Sequence, residues 1–243
     1  MIDLIELESN NRKVVADYYH NGNNRSAMVL LHGFLSSKES MSGIADELLK
    51  SGFDSIAIDY NGHGDSEGDF SEFTISRAID DCRSAHVFLS SNGYEKIGIL
   101  GFSIGGYVAL NYTKKHSGVD TLVLCAPLSS FSQIFGNADL PEWKKTNMFN
   151  SEHLGLSIRL NYDFYEDGMS YDGYDTYTSI NVPVLILHGV ADDVVPILHS
   201  EMLLKSLKNA YLFRLNSNHS IFSNKSYNEA IDAILKWLRT YLK

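Results

Sequence analysis

A chain of 243 residues, 44% of them hydrophobic, is long enough to bury one sizeable core. Its 30 acidic against 20 basic residues leave a net charge of −10, which argues against a nucleic-acid surface and disfavours strongly anionic substrates. No run of 18 apolar residues marks a membrane span, and residues 1–6 lack the basic and apolar regions of a signal peptide, so a cytoplasmic location is the expectation.

Residues 4–8 and 13–18 predict two strands around the turn residues Ser9-Asn10-Asn11, and Asn21-Gly22-Asn23-Asn24 predicts a second turn. Ala27-Met28-Val29-Leu30-Leu31 is an unbroken apolar run, the pattern of a central strand, and it ends in His32-Gly33-Phe34. A helix is expected over 40–51, stopped by Gly52, then a strand over 55–59 and a glycine-rich loop over 61–68. Residues 74–92 predict a long helix with Ile75, Ala78, Ile79, Cys82, Ala85 and Leu89 on one face. Strands follow at 97–100, 121–125, 184–187 and 211–215. A helix near 199–207 joins the last two, and an amphipathic helix over 226–241 closes the chain. Cys82 and Cys125 fall on a predicted helix and a predicted buried strand, and read as core residues. Buried strands alternating with helices predict an α/β fold with a mostly parallel, doubly wound sheet and helices on both faces.

One segment breaks the rhythm. Residues 128–180 carry no clear alternation, yet they hold ten aromatics: Phe131, Phe135, Trp143, Phe149, Tyr162, Phe164, Tyr165, Tyr171, Tyr174 and Tyr177. A structureless loop of that length is uncommon. The segment reads as a small cap inserted into a core of residues 1–127 and 181–243. Its aromatics either line a pocket or pack the cap onto the body.

The stretch Gly101-Phe102-Ser103-Ile104-Gly105, between a buried strand and a helical pattern, has the spacing of a nucleophile elbow. A strand turning sharply into a helix leaves no room for side chains two positions either side of its apex. A serine hydroxyl attacks only when a base takes its proton, and the base is usually a histidine oriented by a carboxylate. His219 follows the last predicted strand at the same sheet edge, among polar loop residues. Asp192 follows the strand at 184–187 and is the first choice of carboxylate, with Asp193 the alternative. His32, His63 and His188 sit beside glycines and read as loop braces. His20, His86, His116, His153 and His199 read as surface or helix-face residues. The backbone N–H groups of Phe34 and Ile104 are the expected oxyanion donors. No histidine pair has metal-ligand spacing, and no glycine motif fits a nucleotide, so no metal and no cofactor are expected.

Taken together, His32-Gly33-Phe34, Asp59 with Gly62-His63-Gly64-Asp65-Ser66, the elbow, His188-Gly189 with Asp192, and His219 resemble the α/β-hydrolase superfamily over nearly the whole chain. Within it the chain is most similar to small bacterial cinnamoyl (feruloyl) esterases and related carboxylesterases. The resemblance implies Ser103, Asp192 and His219 as triad, Phe34 and Ile104 as oxyanion hole, and cap residues on the phenolic ring, with Asp139, Tyr162 and Tyr165 the candidates here. The expectation is a serine esterase acting on small aryl, cinnamoyl or short-to-medium acyl esters, with activity falling in acid as the base becomes protonated. Rival readings are an acylglycerol lipase, an aminopeptidase whose acidic cap (eight acids against three bases) holds a free amine, and a non-catalytic ligand-binding protein. No membrane span and no nucleic-acid partner are expected. A homodimer is compatible with the sequence.

Overall fold

The computed structural model describes residues 1–222 and 226–243, with the backbone alone for 174–176. The strands are β1 Ile2–Ser9, β2 Arg12–Tyr19, β3 Ser26–Leu31, β4 Asp54–Ile58, β5 Lys96–Phe102, β6 Thr121–Cys125, β7 Met148–Ser151, β8 Leu156–Arg159, β9 Val184–Gly189 and β10 Ala210–Leu215. The helices are α1 Ser42–Lys50, α2 Ile75–Ser91, α3 Ile104–Lys115, α4 Phe131–Phe135, α5 Leu140–Thr146, α6 Asp163–Met169, α7 Leu198–Ser206 and α8 Tyr227–Tyr241. Eight strands form one sheet in the order β1-β2-β4-β3-β5-β6-β9-β10. β1 and β2 are an antiparallel hairpin, turned by Asn10 and Asn11 at φ 52° and 59°. β2 pairs antiparallel with β4, and every pair beyond it is parallel.

The apolar runs explain that arrangement. β4, β6 and β9 are buried at every residue, and β3 at all but its first, as strands covered on both faces must be. One face carries α2 and α3, whose Ile75, Ala78, Cys82, Tyr107 and Val108 join Val29, Ile56 and Ile99 in one core. The other carries α1 and α8, whose Ile44, Leu48, Ile231, Ile234 and Leu238 pack on Met28, Leu30, Leu100 and Val123. Both cysteines are free and buried. The order reverses between β3 and β5, so the loops leaving their carboxyl ends part and open a crevice there. The mostly parallel, doubly wound sheet expected from the sequence is the one observed.

Between β6 and β9 the chain leaves the sheet. There α4, α5, the β7–β8 hairpin, α6 and a 3₁₀ turn at Tyr174–Ser179 form an insert. Six of its ten aromatics, Phe131, Phe135, Trp143, Phe149, Phe164 and Tyr177, are buried in the core shared with α2 and α3. The side chain of Tyr174 lies outside the described residues. The insert is pinned to the body. Asp167 accepts from Ser76 N–H at 2.8 Å, Tyr107 Oη donates to Gly168 O at 3.0 Å, and Asn161 N–H donates to Ser71 O at 2.8 Å. Of the histidines read as surface or helix-face residues, two lie on helix faces that are buried. His86 is buried between Tyr112 Oη and Gly118 O, and His199 is buried against Ser129. Each lies on the inward face of an amphipathic helix, where its ring is paired by groups distant in sequence. Among the described residues no helix is long and apolar enough to cross a membrane.

Candidate active site

Ser103 stands between β5 and α3 with φ 55° and ψ −117°, a conformation a non-glycine residue adopts only where its surroundings force it. Its N–H donates to Cys125 O at 2.9 Å, and its carbonyl accepts from Gly106 and Leu128 N–H. The flanking glycines are a steric requirement. A Cβ on Gly101 would stand 2.3 Å from Gly105 O, and one on Gly105 would stand 2.4 Å from Leu31 O. Ile104 opens α3, so its N–H is among the helix-start donors that have no intrahelical acceptor.

The carboxylate that meets His219 is Asp192. Its Oδ2 lies 2.7 Å from His219 Nδ1, whereas Asp193 is exposed. The other oxygen, Oδ1, accepts from Val194 N–H at 3.0 Å and Val195 N–H at 2.8 Å. Burial alone would raise the Asp192 pKa. Hydrogen bonds from His188 and His219, with the Val195 N–H, outweigh it and hold the carboxyl well below the usual carboxylate range. His219 is brought to β9 by Gly189, where a Cβ would stand 2.4 Å from Ser217 O and 2.3 Å from Asn218 O. Its ring packs 5.1 Å from that of Phe102, next to the serine. Ser103 and His219 line one cavity of about 250 Å³, and no hydrogen bond joins them directly. Such contacts are often long before substrate arrives.

The sequence reading of His188 as a loop brace did not extend to its contact with the carboxylate. Its Nε2 lies 3.1 Å from Asp192 Oδ2 and 2.8 Å from Val195 O, and its Nδ1 lies 2.6 Å from Ser200 Oγ. It braces a loop, as expected of a histidine beside a glycine, but the loop is the one holding the carboxylate. Its spacing four residues before Asp192 was the available signal. A second omission is Lys38. Its Nζ bonds Asp59 at 2.9 Å, Glu39 at 2.9 Å and Asp65 at 2.6 Å, and its N–H donates to Asp59 Oδ1 at 2.7 Å. Burial would lower its pKa, but these carboxylates raise it above the ordinary lysine range. Glu39, Asp59 and Asp65 bring carboxylate oxygens within 4.8 Å of one another, yet the ammonium holds the place a cation would take. Lys38 thereby ties down the loop that carries Phe34, in which Leu35 sits at φ 56°.

The three cap candidates are not at the cavity. Asp139 caps α5, accepting from Glu142 N–H at 3.1 Å. Tyr162 and Tyr165 pack on Trp143, with centroids at 5.6 and 5.9 Å. The insert instead presents Leu128, Ile134, Phe135, Leu154 and Leu156. The last two were legible: Leu154, Leu156 and Ile158 alternate with Gly155 and Ser157, the period of a strand.

Comparison with known proteins agrees with this architecture. The family model described as serine aminopeptidase, S33, matches residues 22–166. The AB hydrolase superfamily protein YisY of Bacillus subtilis is 25% identical over 231 residues, covering 80% of this chain and 85% of its own. The human serine hydrolase BPHL is 26% identical over 217 residues, covering 80% and 73%. The ferulic acid complex of Est1E from Butyrivibrio proteoclasticus superposes with a TM-score of 0.86 at 18% identity, over 98% of each chain, and shares the fold. The chain belongs to the serine aminopeptidase S33 family of α/β-hydrolase fold hydrolases.

Proposed function

We propose that this protein hydrolyses carboxylic esters through an acyl-enzyme formed on Ser103, with residues 128–180 as its cap. The observation that carries the reading is the 2.7 Å contact of Asp192 with His219, whose ring shares a cavity with a serine held at a strained elbow. In the reaction His219 Nε2 takes the Ser103 proton as Oγ bonds to the carbonyl carbon. The carbonyl π pair moves onto oxygen, held by the N–H groups of Phe34 and Ile104. Collapse expels the alcohol, which leaves with the proton from His219. Water then repeats the sequence on the acyl-enzyme and releases the acid. Asp192 keeps the Nδ1–H tautomer, so that Nε2 is free to act as base.

Turnover of p-nitrophenyl acetate by the full chain tests this. Ser103→Ala is expected to lower kcat by on the order of 10⁴ or more, and a fluorophosphonate probe should label Ser103. Retention of esterase activity by the variant, or labelling elsewhere, overturns the assignment.

A further inference from the structure

We propose that the cavity beside Ser103 accepts an uncharged, unsubstituted hydrocarbon acyl chain, so that aliphatic esters are favoured over hydroxycinnamoyl esters and over substrates with a free α-amine. This rests on the nucleophile reading above. Among the described residues, the side-chain polar atoms facing the cavity belong to Ser36, Ser103 and His219, and no Asp, Glu, Lys or Arg lines it. Ser103 and His219 are the reacting groups. Ser36 is two residues beyond Phe34, within about 7 Å of it along the chain, and so stays near the oxyanion end. The wall supplied by the insert is hydrocarbon throughout: Leu128, Ile134, Phe135, Leu154 and Leu156.

Three consequences follow from that lining. A phenolic hydroxyl against the leucine and isoleucine wall would lose its water without gaining a side-chain partner, which costs about tenfold to a hundredfold in binding. An α-ammonium would meet no carboxylate. Four of the insert's acids are held elsewhere, Asp167 by Ser76, Asp172 by the Phe131 and Ser132 N–H groups, Glu166 by Lys144, and Asp139 by its own helix cap, and none whose side chain is described lines the cavity. A methylene, by contrast, exchanges water for hydrocarbon at every step along the chain. The volume of about 250 Å³ sets the limit. At roughly 30 Å³ for a group the size of a water molecule, it holds on the order of eight carbons.

The test uses matched ester pairs on the wild-type chain. Across p-nitrophenyl acetate to decanoate, kcat/KM should rise about threefold to fourfold per methylene, peak near hexanoate to octanoate, and fall beyond. Methyl cinnamate should exceed methyl p-coumarate, which differs by one hydroxyl, by about tenfold or more. p-Nitrophenyl 4-methylpentanoate should exceed the leucine ester, which differs by the ammonium. Leu156→Trp should move the chain-length optimum at least two carbons shorter, and Leu154→Trp serves if that variant fails to fold. A flat or falling acyl series, or preference for the coumarate or leucine ester, overturns the proposal while Ser103-dependent turnover keeps the nucleophile reading intact. If no ester is turned over, the nucleophile reading fails, and binding decides the ligand class. Octan-1-ol should then raise the Tm of Ser103→Ala more than 4-ethylphenol or hexylamine does, and the reverse order overturns the proposal.

Discussion

Asp192 does two jobs with two oxygens. One meets His219 and, at 3.1 Å, His188, and the other is held by the Val194 and Val195 N–H groups. Asp192→Asn would put an amide donor against His219 Nδ1 and favour the wrong tautomer. Its kcat should fall by about 10³–10⁴, while Asp193→Asn stays within a few-fold of the parent; steady-state rates on one ester separate them, and equal losses would reject the choice. Lys38 acts at a distance. Lys38→Met takes the ammonium from the buried Asp59 carboxylate and leaves it only the backbone N–H donors of residues 38 and 65, at a cost of about 3–5 kcal/mol, and frees the loop carrying Phe34. Urea melts and kinetics should show lower stability and a fall in kcat larger than any rise in KM, with Lys38→Arg restoring part of both. Unchanged stability in the methionine variant would remove the network's structural role.

At the scale of elements, the elbow is the most constrained joint. Gly105 lets α3 approach β3 so closely that a methyl there would stand 2.4 Å from Leu31 O and 2.7 Å from His32 O. Gly105→Ala is therefore expected to cost at least about 2 kcal/mol and to misplace Ser103. Equilibrium unfolding alongside ester turnover would check it, and a variant matching the parent in both would show that the joint has slack. The insert was the least legible element. Its helices are five to seven residues long, too short for an amphipathic period to declare itself. Its order comes from long-range partners, such as Trp143 Nε1 donating to Leu160 O at 2.6 Å, which no local pattern announces. The ten aromatics pointed to a cap, but mostly fill its interior, and shorter aliphatic residues from the hairpin reach the cavity.

For the whole molecule, buried neutral histidines set the response to acid. Burial pushes His32 down to about 3 and His199 down to about 4. Each folded-state pKa lies below the unfolded value near 6.5. Their stabilisation is therefore present above pH 6.5 and is lost as pH falls toward 4 and 3. Asp81, raised to about 6 by burial, runs the other way: its stabilisation is full below about pH 4 and is lost as pH rises through 6. The two histidines outweigh it, so stability should fall between pH 6.5 and 4. His199 accounts for about 3 kcal/mol of that change. Urea denaturation of His199→Gln across that range should show a shallower slope, and an unaltered slope would refute the assignment. The sequence by itself determined the alternating strands and helices, the elbow and the loops bearing His219 and Asp192, because apolar runs and glycine spacing are local consequences of burial and steric clearance. Only the tertiary structure decided which carboxylate meets the imidazole, that His188 and Lys38 support the site, and that hydrocarbon lines the cavity. Those depend on contacts across the sheet edge between segments far apart in the chain, where no local period reaches.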